Sequence, residues 1–248
     1  MTFPALSVWL TEPSTAAVEM AKLAGYDTVV LDVEHGLFDL AALDWLVPGI
    51  RARGMDVIVK VLGPERGPIQ QALDFGANAV AIPHIESVEH ARTVCGYAKF
   101  PPLGDRSFAG GRTSNYRGFT DEWVTAQDTE TKCYAMIEDA SAFEQVDGIL
   151  ELDVVDGIFV GPSDLSLRVD RGAYSVTEAD LADIRHLAHA AKKANKPWIL
   201  PAWSEAEQKL AYVEGASTIV LAMQYGAILN GFTQTLNNFH TMTKRKNS

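Results

Sequence analysis

Residues 28–62 read TVVLDVEHGLFDLAALDWLVPGIRARGMDVIVKVL. Two aliphatic, β-branched runs, Thr28–Glu34 and Asp56–Leu62, bracket an amphipathic stretch, Leu40–Arg53, that stops at Gly54. The runs are almost continuously apolar instead of alternating, as parallel strands must be when helices cover both faces of their sheet. The spacing is that of one strand–helix–strand unit.

The same rhythm extends in both directions. Further strands are predicted at Ala5–Leu10, Ala79–Pro83, Cys133–Glu138, Gly157–Val160, Trp198–Ala202 and Thr218–Met223. Helices are predicted at Thr15–Ala24, Pro68–Phe75, Val88–Lys99, Ala142–Leu150, Glu178–Ala194, Glu205–Glu214 and Ala227–Thr241, with Gly25, Gly76 and Gly215 as stops. Eight such units in 248 residues predict a single-domain α/β fold, a (β/α)8 TIM barrel over residues 1–248. An open doubly wound sheet is the alternative. The first strand–helix junction, Leu10-Thr11-Glu12-Pro13-Ser14, lacks the GxGxxG of a dinucleotide site. The longest irregular stretch, residues 100–118, is rich in Gly, Pro and Arg and is expected to be a lid or a subunit-contact loop.

Composition narrows the function. A net charge of −11 argues against nucleic acid and anionic membranes as partners. Cys95 and Cys133, the only cysteines, form no CxxC or Cys/His cluster, which disfavours a thiolate zinc site and favours a reducing compartment. The start, MTFPALSVWL, has no basic n-region and no long apolar run, so a cytoplasmic location is expected. The basic end, Lys244-Arg245-Lys246, reads as a solvated tail.

In a barrel of this kind chemistry collects where strands end. Strand two ends Asp32-Val33-Glu34-His35-Gly36, strand three carries Lys60 within an apolar run, strand five ends Met136-Ile137-Glu138, and strand six ends Gly161-Pro162-Ser163-Asp164. Carboxylates at consecutive strand ends, Glu138 and Asp164, repel unless a proton or cation lies between them. Two protein oxygens with the other positions left to water and substrate suit Mg²⁺ or Mn²⁺, with Co²⁺ a substitute. A lone carboxylate there would be a helix cap. His35 reads either as a general base or as a hydrogen-bonded loop histidine; His84 carries a weaker signal for the mouth, and His186 and His189 read as solvated.

Together with Trp9-Leu10, Leu73-Asp74-Phe75-Gly76 and Phe100-Pro101-Pro102-Leu103-Gly104-Asp105-Arg106, these strand ends resemble the HpcH/HpaI aldolase family nearly end to end. The resemblance implies a divalent-metal-dependent (class II) aldolase that cleaves 4-hydroxy-2-oxo acids into pyruvate and an aldehyde, and a homo-oligomer, a hexamer in the family. Carried over by position, Glu138 and Asp164 hold the metal and His35 is the base. Asp74 pairs with a base histidine across a subunit contact, and the backbone around Ser163 and Asp164 receives the pyruvate carboxylate. Trp9, Lys60, Met136 and Arg106 are expected at the substrate. Lys60 stands where the family has arginine, Met136 where it has glutamine, and Arg106-Ser107 where it has Arg-Gly. A lysine cannot form a bidentate fork. Lys60 is therefore read as a point charge beside the oxo acid, with a structural lysine held by a carboxylate such as Glu34 and a Schiff-base nucleophile as alternatives. Two rival functions are a CoA-ester lyase of the citrate lyase β type and a non-catalytic barrel that binds oxo acids.

Overall fold

A computed structural model describes residues 3–244. Eight parallel strands close into a barrel in sequence order: β1 (Ala5–Leu10), β2 (Thr28–Asp32), β3 (Asp56–Lys60), β4 (Ala79–Ile82), β5 (Lys132–Ile137), β6 (Gly157–Val160), β7 (Trp198–Pro201) and β8 (Thr218–Met223). The expected barrel forms and the open sheet does not. Helices α1 (Thr15–Ala24), α2 (Leu40–Ala52), α3 (Arg66–Asp74) and α4 (Val88–Gly96) follow the first four strands.

The two-residue period of a strand separates two cores. On β2, Val29 and Leu31 pack outward against helices, while Val30 faces the barrel interior with Ile58 of β3. The interior continues through Trp9, Ala79, Ala81, Tyr134, Met136, Phe159, Ile199 and Val220. The next inward positions up β2 and β3 are Asp32 and Lys60, which are register partners. Alternation alone thus carries both buried charges to the mouth.

Strand β2 stops at Asp32, short of the expected Glu34. The chain turns through Gly36, where an added Cβ would lie 2.2 Å from the Asp32 carbonyl and 2.5 Å from that of Thr11. Leu37 N–H then donates to Thr11 O at 2.8 Å. A residue with a side chain would open this turn and displace His35.

Between β4 and β5 the irregular stretch ends in a helix that the periodicity did not indicate, α5 (Asp121–Glu130). It buries no side chain completely, so it carries no apolar stripe. Its signals were the Thr120 cap and the acidic first turn, Asp121 and Glu122. Lys99, 1% exposed, ties the stretch down through Asp128 O (2.6 Å), Thr131 O (2.9 Å) and Asp156 (2.7 Å).

The predicted helix 142–150 is two short ones, α6 (Ala140–Glu144) and α7 (Val146–Leu150), broken at Gln145. Beyond β6 come α8 (Pro162–Arg168) and α9 (Glu178–Lys193), then α10 (Glu205–Glu214) after β7. The last helix, α11 (Gln224–Lys244), is longer than the expected Ala227–Thr241. Of the basic end, Arg245 and Lys246 lie outside the described residues. No described helix is long and apolar enough to cross a membrane.

Candidate active site

The C-terminal ends of the strands surround a cavity of about 180 Å³. Asp32, His35, Lys60, Ser163 and Asp164 line one side; Trp9, Pro201, Trp203 and Met223 line the other, with Met136 and Gly161 also in its wall.

Lys60 is buried, and its ammonium sits against Glu34 and 3.4 Å from Asp32 Oδ1. An unpaired ammonium here would be costly; two carboxylates prevent that. Of the three readings of Lys60, the geometry contains the carboxylate-held one, and the residue also stands in the cavity wall. Asp32 also accepts from Trp9 Nε1 at 3.1 Å and from the backbone N–H of His35 at 3.2 Å. It fixes the indole, the ammonium and the His35 turn at once.

Glu34 is a second junction. Its Oε1 lies 2.6 Å from His84 Nε2, and its Oε2 is 3.5 Å from His35 Nε2 as well as against Lys60. Burial pushes its pKa up, but Lys60, His35 and His84 outweigh burial and hold the carboxyl below its ordinary value. The His35 ring is largely exposed.

Glu138 follows β5 and is 2% exposed. Its Oε1 accepts from the backbone N–H of His84 at 2.9 Å and lies 3.5 Å from His84 Nδ1. His84 adopts φ 57, a left-handed conformation that non-glycine residues rarely occupy, and this aims its N–H at the carboxylate. Burial raises the pKa of Glu138, and the charge of Asp164 adds to the rise against the lowering by His84 and Lys60. Gly161 lets β6 pass close beside it: a Cβ would lie 2.7 Å from Glu138 Cβ and 2.9 Å from both its Oε2 and Met136 Cε. Asp164 is exposed in the first turn of α8.

Among the described residues no group of three or more His, Cys, Asp or Glu could hold a metal by itself. The donor set still fits a hard divalent cation. Glu138 is buried beside a second carboxylate and gains from a positive neighbour, and a two-carboxylate site leaves the other positions to water and substrate.

The structure brings Trp9, His35, Lys60, Met136, Glu138, Ser163 and Asp164 together. It does not bring Asp74 and Arg106 to this cavity. Those two pair with each other, Arg106 Nη2 to Asp74 Oδ1 at 2.9 Å, with the buried guanidinium stacked 4.7 Å from the Phe100 ring. Arg106 Nε and Nη1 find no partner among the described residues. Asp32, Trp203 and Met223 were not singled out from the sequence. Parity with Lys60 on a paired strand was the available signal for Asp32.

The sequence profile described as HpcH/HpaI aldolase/citrate lyase matches residues 6–226. A 2-keto-3-deoxy-L-rhamnonate aldolase from Klebsiella pneumoniae is 29% identical over 205 residues, covering 81% of this chain and 77% of that protein. A hydroxypyruvate/pyruvate aldolase from Rhizorhabdus wittichii is 33% identical over 196 residues, 77% of each chain. The crystal structure of an HpcH/HpaI aldolase from Desulfitobacterium hafniense superposes with a TM-score of 0.88 at 25% identity, covering 95% of this chain and 92% of that one.

Proposed function

The chain belongs to the HpcH/HpaI aldolase/citrate lyase family, a family of carbon–carbon lyases, and on that premise we propose that it is a divalent-metal-dependent aldolase that cleaves or forms 4-hydroxy-2-oxo acids through the enolate of pyruvate. The observation that carries this reading is one small cavity lined by Asp164, the carboxylate-held Lys60 and the exposed His35, with the buried carboxylate of Glu138 close enough to Asp164 to feel its charge.

Glu138 and Asp164 would hold Mg²⁺ or Mn²⁺, with Co²⁺ as a substitute. When bound, the cation supplies Lewis-acid polarisation of the 2-oxo group. The main-chain amides of Ser163 and Asp164, which open α8, receive the carboxylate. His35 takes the proton of the 4-hydroxyl. The electrons of that O–H bond form the aldehyde carbonyl as the C3–C4 bond breaks, and the pair from that bond becomes the enolate of pyruvate. Lys60 faces the enolate oxygen as a fixed positive charge. A proton returned to C3 completes pyruvate; in synthesis the steps reverse and His35 gives its proton back. Met136 leaves the cavity wall apolar where the family has an amide.

The cavity is below the roughly 300–1,000 Å³ usual for drug-sized ligands, so it suits a three-carbon acid and a small aldehyde better than a CoA ester. Ile228, Leu229, Phe232, Leu236 and Phe239 of α11 are exposed along one face at three- and four-residue spacing. Such a stripe supports a homo-oligomer, with the hexamer as the family's form. Asp74 would then act from a neighbouring subunit.

The test is turnover of pyruvate with small aldehydes before and after EDTA, then after adding Mg²⁺, Mn²⁺ or Co²⁺. Activity lost and restored is expected. Full activity after exhaustive chelation would remove the metal-dependent assignment.

A further inference from the structure

Resting on the pyruvate reading, we infer that the second substrate is an uncharged aldehyde with an apolar substituent, seated on the arc formed by β7, β8 and β1. These three strands are neighbours in the closed barrel. From them Pro201, Trp203, Met223 and Trp9 face the cavity. Trp203 and Met223 remain 41% and 37% exposed at its rim, while Trp9 lies beneath with its ring edge-on to Trp203 at 6.4 Å. Exposed apolar side chains over a buried aromatic floor are a surface that gains by losing water to a ligand.

The charges around this arc exclude an acidic substituent. Lys60 is the only lysine or arginine among the described residues lining the cavity, and it is already held by Asp32 and Glu34. Just past β1 and β8 the charge is acidic: Glu12 accepts from Gln224 Nε2 at 3.2 Å. The Gln224 amide is spent there too, since its oxygen accepts from the backbone N–H groups of Thr11 at 3.1 Å and Glu12 at 3.2 Å. A terminal carboxylate, phosphate or sulfonate would meet no free cation among the described residues of the arc and would sit beside the negative charge of Glu12.

The experiment compares butanal with 4-oxobutanoate, which share a four-carbon chain and differ in the terminal methyl or carboxylate. With Mg²⁺ present, kcat/KM for addition of pyruvate to each aldehyde is measured. Separately, deuterium exchange into the pyruvate methyl in D2O, without aldehyde, reports enolate formation. The expected result is exchange together with a preference for butanal of about tenfold or more. Met223→Arg should shift that ratio toward 4-oxobutanoate by about tenfold. Trp203→Ala, at an exposed position, should lower kcat/KM for butanal about tenfold and affect 4-oxobutanoate less. Exchange with equal or better use of 4-oxobutanoate, exchange without addition to either aldehyde, or an unchanged ratio in both variants each overturns the inference and leaves the pyruvate reading standing. Absence of both exchange and addition overturns the pyruvate reading, and the inference falls with it.

Discussion

The barrel mouth has two unlike halves. From β2 round to β6 it carries Asp32, Glu34, His35, Lys60, His84, Glu138 and Asp164; from β7 through β8 to β1 it carries Pro201, Trp203, Met223 and Trp9. Both halves grow from the same strand geometry, so the difference lies in the residues at and just past the last inward position. In the charged half the covered groups are fixed by one another: Glu34 holds Lys60 and His84, and His84 in turn turns its N–H to Glu138. In the apolar half large side chains are left partly exposed, with packing against Trp9 as the main constraint. Pre-organised charge stabilises charge that develops during reaction. An apolar wall discriminates only by shape and by rejecting charge. Under the proposed function, the division gives the common chemistry to one half and the choice of partner to the other.

The largest effect expected tests whether the charged half contains the metal site. Glu138→Gln keeps an oxygen for the His84 N–H, and Asp164→Asn changes an exposed position, so both should fold. Each should weaken Mn²⁺ binding by more than about 100-fold, beyond the 10–100-fold typical of losing an outer partner, and aldol turnover should fall with it. Titration calorimetry checks this. Unchanged affinity in both variants would place the metal elsewhere and break the division.

His35→Ala comes next. The ring contacts Glu34 and is otherwise open, so its removal should leave metal affinity intact and lower aldol cleavage by about 10²–10⁴-fold, the usual worth of a positioned acid–base group. Wild-type turnover in this variant would hand the proton to another group. A loss confined to some aldehydes would show that His35 belongs functionally with the apolar half.

The barrel was legible because its strands carry near-continuous apolar runs, and β1, β6 and β8 occur at their expected bounds. Strand ends were overrun where a turn, as at Gly36, bends the chain before the apolar run stops. Helix α5 escaped because a helix that buries no side chain leaves no period to read. In the mouth, residue type and strand-end position indicated His35, Lys60, Glu138 and Asp164. Of the two carboxylates on Lys60, Glu34 was indicated by its strand-end position, whereas Asp32 depends on inter-strand register, which places it across from Lys60 and which no single strand reveals. His84 gave only a weak signal because its ring partners follow other strands and its N–H is aimed by a left-handed backbone after Pro83, neither of which residue type reveals. Trp203 lies beyond β7 in a loop with no motif. It becomes visible only when barrel closure puts it beside Trp9.

The smallest effect expected sharpens the comparison by measuring what the charged half contributes to stability. The Glu34 side chain is only 9% exposed, meets Lys60 and His84, and is held below its ordinary pKa despite the opposing effect of burial. A carboxyl depressed in the folded state adds stability that is fully present above its unfolded pKa, about 4.3, and is lost as pH falls through the lower folded value. Glu34→Gln keeps the size of the side chain but not the charge. Asp32 still pairs with Lys60 in the variant, so the loss at pH 7 should be about 1–3 kcal/mol, the cost of an under-satisfied buried polar group, and not that of a fully stranded ammonium. The gap between wild type and variant should hold steady from pH 7 to about pH 5 and narrow as urea unfolding is repeated below about pH 4.3, because only the wild type has the Glu34 charge to lose there. The apolar half offers no such dependence: Trp203→Ala should shift stability equally at every pH. A gap at Glu34 that stays constant with pH would mean that its charge does not hold Lys60 in place, and the ion-paired network would lose its claim to set the geometry of the mouth.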